Sequence, residues 1–175
     1  MIELINDNIC NVNCELMVNA ANGIGWFGGE KCAKELRPGV SENMQFRTEG
    51  LIQKLARHEI TKGNPLRGII GVAPGGAYIT GNCYGKLPCM KVFHAVTMRY
   101  PGCRSSKRIV SGCLALLQHY ALVKNVTDIA IPYLGCGTGQ LDSKWFEDEV
   151  KSYFPEEFWE IKLVRYEKTG EKDDK

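Results

Sequence analysis

Glycine stands at positions 23, 25, 28 and 29, directly beyond a short apolar stretch from Leu16 to Asn19. Each glycine costs ordering entropy on folding and brings no side chain to a core, so this density asks for a use of bare backbone. The stretch reads as a strand (Leu16 to Asn19), a turn (Asn22 to Gly29) and a helix from Glu30 to Leu36. The first NH groups of that helix are left unpaired at the positive end of its dipole, which makes a cradle for phosphate. A second loop has the same form. Asp128 to Tyr133 reads as a buried strand through Ile129, Ala130 and Ile131, and runs into Leu134-Gly135-Cys136-Gly137-Thr138-Gly139 ahead of a helix from Ser143. Two such loops suit one ligand with two phosphates, or with a phosphate and a sugar, held between the carboxyl ends of the strands. Ordinary turns, where glycine is common, are the alternative reading.

Reactive side chains lie close to both loops. Glu30 opens the first helix, Lys31 follows it, and Asp142 sits just past the second loop. A carboxylate within hydrogen-bond reach of a water can activate or orient it. The dipole explains Glu30 equally well, and Asp142 equally suits a cap on the next helix. Cys136, a thiol in a glycine loop near a helix N-terminus, is expected to have a lowered pKa. His94 falls in an apolar strand and reads as a core histidine. Gly23-Ile24-Gly25-Trp26-Phe27-Gly28 also matches GxGxxG, the dinucleotide fingerprint of nicotinamide and flavin oxidoreductases. In that unit the first glycine turns directly off the strand. Here Asn19-Ala20-Ala21-Asn22 intervenes, no second βα unit with a ribose-binding acid follows, and the second glycine loop goes unexplained.

At 175 residues the chain suits one domain, able to bury about two thirds of its surface. Hydrophobic residues at 44% and charged residues at 24% are ordinary for a soluble globular protein. The 22 basic and 20 acidic side chains give no overall footprint for nucleic acid, although a local patch can hide in such a balance. No apolar run approaches membrane-spanning length, and the N-terminus lacks a basic-then-apolar signal, so an intracellular, cytoplasmic location is expected. The eight cysteines contain no CxxC pair and stand beside three histidines, which argues for buried thiols in a reducing compartment and against structural zinc.

The remaining elements follow from periodicity and punctuation. Met1 to Leu4 reads as a strand that ends at the turn-prone Asn6-Asp7-Asn8. Ser41, as an N-cap, to about Glu59 reads as one amphipathic helix, carried by Met44, Leu51, Ile52 and Leu55. Ile69 to Val72, Ala77 to Thr80 and Lys91 to Thr97 read as strands. Ser105 or Ser106 caps a long helix with Ile109, Val110, Cys113, Leu117, Tyr120 and Ala121 on one stripe, ended by Asn125. A helix from Ser143 to about Tyr153 and a strand from Trp159 to Tyr166 complete an α/β sheet covered on both faces and mixed in direction. Residues 1–166 form the domain, and Glu167 to Lys175 is a charged tail expected to be disordered.

Val18-Asn19-Ala20-Ala21-Asn22, followed by its glycines, resembles the first loop of the macrodomain, an ADP-ribose-binding module. Gly76-Ala77-Tyr78-Ile79-Thr80, Leu87-Pro88 and Val92-Phe93-His94-Ala95-Val96 look like its middle strands, in order. Ile131-Pro132-Tyr133-Leu134-Gly135-Cys136-Gly137 is similar to the second loop in the branch of DNA-deADP-ribosylating antitoxins. The resemblance implies a three-layer α/β/α sandwich with a central mixed sheet of about six strands.

It also implies a site. The ligand would meet Asn8, Ile9, Asn19, Ala20, Asn22, Gly28, Gly29, Leu134, Gly135, Cys136, Gly137, Thr138 and Gly139, with Asn22 on the distal ribose and the glycine backbone on the diphosphate. Asn8 stands where the family usually has an aspartate for the adenine amino group. An amide oxygen can still accept that hydrogen, Asp7 is a substitute, and a solvated Asx turn is the alternative. Asn19 and Asn22 would otherwise close the turn, and Trp26 and Phe27 are either a lid over the distal ribose or core. The family's usual catalytic groups are missing: Cys32, Met98 with Arg99 beside it, and Gly139 stand at their positions. Asn22, Glu30, Lys31 and Asp142 are the candidates for chemistry at the anomeric carbon. The implied partner is ADP-ribose or an ADP-ribosylated macromolecule, with nucleic acid only as a modified substrate. A monomer without metal, cofactor or membrane contact is expected, acting as an ADP-ribosyl hydrolase or as a non-catalytic reader.

Overall fold

Side chains alternate across a strand, and β2 (Leu16–Asn22) is apolar or amide-bearing on both faces, so it has to be covered twice. A computed structural model describes residues 1–28, 39–136 and 141–166. In it β2 lies within a six-stranded sheet with β1 (Ile2–Asn6), β3 (Ala77–Gly81), β4 (Lys91–Met98), β5 (Asp128–Pro132) and β6 (Glu160–Arg165), in the order β1-β6-β5-β2-β4-β3. Neighbours run parallel except β3 and β4, so the sheet is mixed. Helices α1 (Val40–Arg47) and α2 (Leu51–Thr61) cover the face carrying Met17, Ala21, Val92 and Val96. Helices α4 (Lys107–Lys124) and α5 (Ser143–Tyr153) cover the face carrying Leu16, Val18, Phe93 and Ile131. A short helix α3 (Arg67–Ile70) precedes β3. The result is a three-layer α/β/α sandwich.

The helix stripes explain this choice of sides. Helix α2 buries Ile52, Ala56 and Ile60, four residues apart. Helix α4 buries Val110, Cys113, Leu114, Leu117 and Ala121, starts where the Ser106 hydroxyl accepts from Ile109 N at 3.2 Å, and stops at Asn125 with φ 55°.

Three expectations are corrected. Ile69 to Val72 is no strand: α3 occupies it, Ile69 is 73% exposed, and Gly71 at φ +76° ends the turn. A run of four residues is too short for periodicity to tell strand from helix. The single helix from Ser41 is two, because Glu49 (φ 53°) and Gly50 (φ 85°) adopt left-handed backbone that breaks the ladder after Arg47. Ser41 does not cap α1, whose cap position is Gly39. The expected helix from Glu30 to Leu36 and the charged tail lie outside the described residues.

Ser41 instead joins a buried polar chain. Its hydroxyl lies 3.0 Å from Asn19 Oδ1 and 3.2 Å from the Ala20 carbonyl. Asn19 Nδ2 is 3.1 Å from His94 Nδ1, across the β2–β4 pair, and His94 Nε2 is 2.8 Å from Thr80 Oγ1 on β3. Because the Asn19 amide donates to Nδ1, the proton of the neutral ring sits on Nε2 and is donated to Thr80. Tyr78 stacks on the ring at 4.8 Å and Phe27 meets it edge-on at 5.5 Å. His94 is thus the core histidine that the apolar strand implied.

Burial lowers the His94 pKa from 6.5 to about 3. Between those values the unfolded chain binds a proton that the folded chain does not, so stability is full above pH 6.5 and falls as the pH drops below it. The loss approaches about 1.4 kcal/mol per pH unit. Urea unfolding at pH 7 and pH 5 should therefore show a larger drop for wild type than for His94→Gln. Equal drops would contradict a buried neutral ring.

Candidate functional site

Parallel strands β5, β2 and β4 bring their carboxyl ends, at Pro132, Asn22 and Met98, to one side of the sheet. A cleft of about 510 Å³ opens there, lined by β2 through Ala20, Ala21 and Asn22, by Trp26 of the first loop and by Tyr133 and Gly135 of the second. The start of α1 (Gly39 to Glu42), Thr97 and Met98 of β4, and Pro101 and Gly102 complete the wall. Both glycine loops therefore border one cavity, of a size usual for small-ligand sites.

In the first loop Asn22 is the organiser. Its Oδ1 accepts from Ile24 N at 3.2 Å and Trp26 N at 3.1 Å, and its Nδ2 donates to the Trp26 carbonyl at 2.7 Å. The amide closes the turn while the residue still faces the cleft. Gly23 is demanded by packing, since a Cβ there would collide with the Val72 carbonyl. Trp26 and Phe27 differ in their surroundings: Trp26 is 41% exposed at the cleft wall, and Phe27 is buried in the core. Gly28, at φ 80°, is the last described residue of this loop. Gly29, Glu30, Lys31 and Cys32 lie outside the described residues.

In the second loop Leu134 is buried, and Gly135 at φ +73° packs so closely that a Cβ would stand 2.8 Å from Leu141 Cδ1. Leu141 N returns to the Gly135 carbonyl at 2.9 Å, which brings the loop back on itself; Gly137, Thr138 and Gly139 lie outside the described residues. The expected low pKa of Cys136 is corrected. Burial pushes the thiol up to about 11, outweighing the pull of the Arg165 guanidinium.

Other expected positions lie apart from the cleft. Asn8 Oδ1 accepts from Cys10 N at 3.0 Å and so caps the 3-10 turn Ile9–Asn11, the Asx-turn alternative. Ile9 is buried in the core below. Asn19 faces the buried chain described above, and Asp142 caps α5 by accepting from Trp145 N at 3.1 Å. A shallower depression lined by Leu4, Ile5, Asn6, Tyr133, Glu147, Leu163 and Arg165 shares Tyr133 with the main cleft. The Tyr133 hydroxyl donates to Glu147 at 2.7 Å, and Arg165 lies over the ring at 4.3 Å.

Glu42, Ser41, Thr97 and Pro101 line the cleft without having been marked by any motif, and Tyr133 lines it from within the second-loop motif without having been named as a contact. A further signal was available in the charges. Residues 60–127 contain nine lysines and arginines and no acid, so this stretch carries +9 against −7 for the rest (13 basic, 20 acidic). Arg99 and Arg104 flank Pro101 and Gly102 of the wall, and α4 begins with Lys107 and Arg108 without an acid in its first turn. Cations at the positive end of a helix are unfavourable unless an anion answers them.

Loss of the Asn22 amide should be felt in stability. Asn22→Ala removes three hydrogen bonds of a half-buried turn and should cost about 1–3 kcal/mol in denaturant unfolding. An unchanged midpoint would mean that the amide does not hold the loop.

Comparison with known proteins adds to this geometry. The family model described as Macro domain matches residues 18–147. Among solved structures, the macrodomain of Mycobacterium tuberculosis DarG is 17% identical with a TM-score of 0.75, covering 95% of this chain and 99% of its own. The macrodomain of Thermus aquaticus DarG is 20% identical with a TM-score of 0.72, covering 96% and 99%. Thermosipho africanus DarTG in complex with ADP-ribose is 12% identical with a TM-score of 0.66, covering 93% of this chain and 41% of that one. No curated protein sequence matches significantly. With the two-loop cleft, the mixed six-stranded sandwich and a family model spanning most of its length, the chain belongs to the Macro domain family.

Proposed function

We propose that the chain binds ADP-ribosyl groups in the cleft between its two glycine loops and hydrolyses them from a macromolecule or a small adduct. The position of the cleft carries this reading: it opens at the carboxyl ends of three parallel strands, with one loop on each side, in a Macro fold. Backbone NH groups of Gly28, Gly29 and the loop from Gly135 to Gly139 would hold the diphosphate. The distal ribose would lie toward Asn22 and Trp26, and adenine toward the depression beyond Tyr133, with Asn8 and Ile9 past it. The DarTG structure containing ADP-ribose supports the ligand class.

The acid-free stretch supports a nucleic acid as the macromolecule. Arg99, Arg104, Lys107 and Arg108 stand in the segment that leads away from the cleft wall, where the phosphodiesters of a modified strand would run. A non-catalytic reader is the second reading. It is favoured by Met98 at the position of an expected catalytic group and by the engagement of the Asn22 amide in its own loop. Either reading takes the chain as an intracellular monomer. No helix among the described residues is long and apolar enough to cross a membrane.

Calorimetry should show saturable ADP-ribose binding, with NAD weaker because its nicotinamide crowds Trp26. Gly29→Val and Gly137→Val should each abolish that binding in a folded protein; normal binding by both would reduce the loops to turns. For a single-stranded oligonucleotide, Arg99→Glu and Arg104→Glu should each weaken affinity and flatten the salt dependence by about one phosphate contact. Unaltered salt slopes would remove the nucleic-acid surface.

A further inference from the structure

The proposed hydrolysis needs a group to take a proton from water, and the cleft wall contains one that the family's motifs do not mark. Glu42 is the third residue of α1 and lines the cleft. Of the described lining residues only Glu42 and Tyr133 carry an ionisable side chain, and the Tyr133 hydroxyl is committed to Glu147. Asp142 is not among the lining residues, and its carboxylate holds the first turn of α5.

The neighbouring glycine reports where the Glu42 carboxylate lies. Gly39 has φ −70° and ψ 176°, extended backbone open to any residue, so its conformation does not call for glycine. A Cβ on Gly39, however, would collide with Glu42 Oε2. The carboxylate is therefore folded back over Gly39, itself a lining residue, at the wall of the cavity. Helix α1 is fixed in turn. Ser41 reaches Asn19 and the Ala20 carbonyl, and at the other end Arg47 donates to the Cys10 carbonyl at 2.9 Å and to Asn11 Oδ1 at 2.6 Å.

We propose that Glu42 is the general base of this reaction, an inference that rests on the hydrolase reading above. The carboxylate accepts a proton from a solvent water as the water oxygen bonds to the anomeric carbon of the distal ribose. The bond from that carbon to the carrier breaks, and the leaving atom keeps the electron pair. The proton held by Glu42 then passes to the leaving atom or to solvent, giving free ADP-ribose and the unmodified carrier. Asn22 and Trp26, on the same cleft, bound the space in which the ribose would sit.

The test compares wild type, Glu42→Gln and Gly39→Ala on a single-stranded DNA oligonucleotide carrying ADP-ribosyl groups and on ADP-ribose 1''-phosphate. Calorimetry with free ADP-ribose runs alongside. Glu42→Gln should lower kcat roughly a hundredfold or more, keep the Kd for ADP-ribose within about threefold, and lose the acidic limb of the kcat–pH profile. Gly39→Ala should also lower kcat, because its methyl group displaces the carboxylate. A glutamate at this helix position can also serve the helix start alone. That role would shift the melting temperature and leave the pH profile unmoved. Glu42→Gln turnover within about tenfold of wild type overturns the assignment, as does wild-type binding of ADP-ribose without turnover of either substrate. Failure of wild type to bind ADP-ribose is a distinct result, and it removes the underlying reading instead.

Discussion

The seating of α1 on β2 is the constraint on which the site depends. The Ser41 hydroxyl, Asn19 amide, His94 imidazole and Thr80 hydroxyl form one buried chain from helix to edge strand. A polar group left unpaired at that depth costs about 1–3 kcal/mol, so each member fixes the next. With Ser41 held against β2, the start of α1 becomes a wall of the cleft, and Glu42 is brought in with it. The carboxyl end of β2 carries the first glycine loop on Asn22, so the same strand sets the floor, one loop and the wall made by α1.

Most of the sheet was legible in the sequence, and the reasons are physical. β4 and β5 are apolar runs bounded by turn residues, and α4 has a stripe, a serine cap and an asparagine stop, so local and global preferences agree. The failures lie where tertiary contacts decide. Nothing local separates a helical turn from a strand at Ile69 and Ile70. A left-handed break at Glu49 and Gly50 interrupts a pattern whose apolar spacing continues across it. Ser41 has the composition of a cap, but the deeper amide of Asn19 claims its hydroxyl.

The site was legible in part for the same reason. The two glycine loops were found because glycine clusters are visible, yet Gly23 proves to serve packing against Val72, and Asn22 closes its own turn. The Cys136 thiol was placed near a helix N-terminus, but burial outweighs the nearby cation. Glu42 was invisible because its only sequence signal is a glutamate near a helix start, which every surface helix can have. Its meaning comes from a glycine three residues earlier whose missing Cβ makes room for it.

On the proposed function, one ADP-ribose spans both loops at the carboxyl ends of β2 and β5, and a crystal structure with ADP-ribose would decide this. The diphosphate should lie between Asn22–Gly28 and Leu134–Cys136, with the distal ribose beside Trp26 and the anomeric carbon facing Glu42. Nucleotide bound on another face of the sheet, or an empty cleft in crystals grown at saturating ADP-ribose, would contradict it.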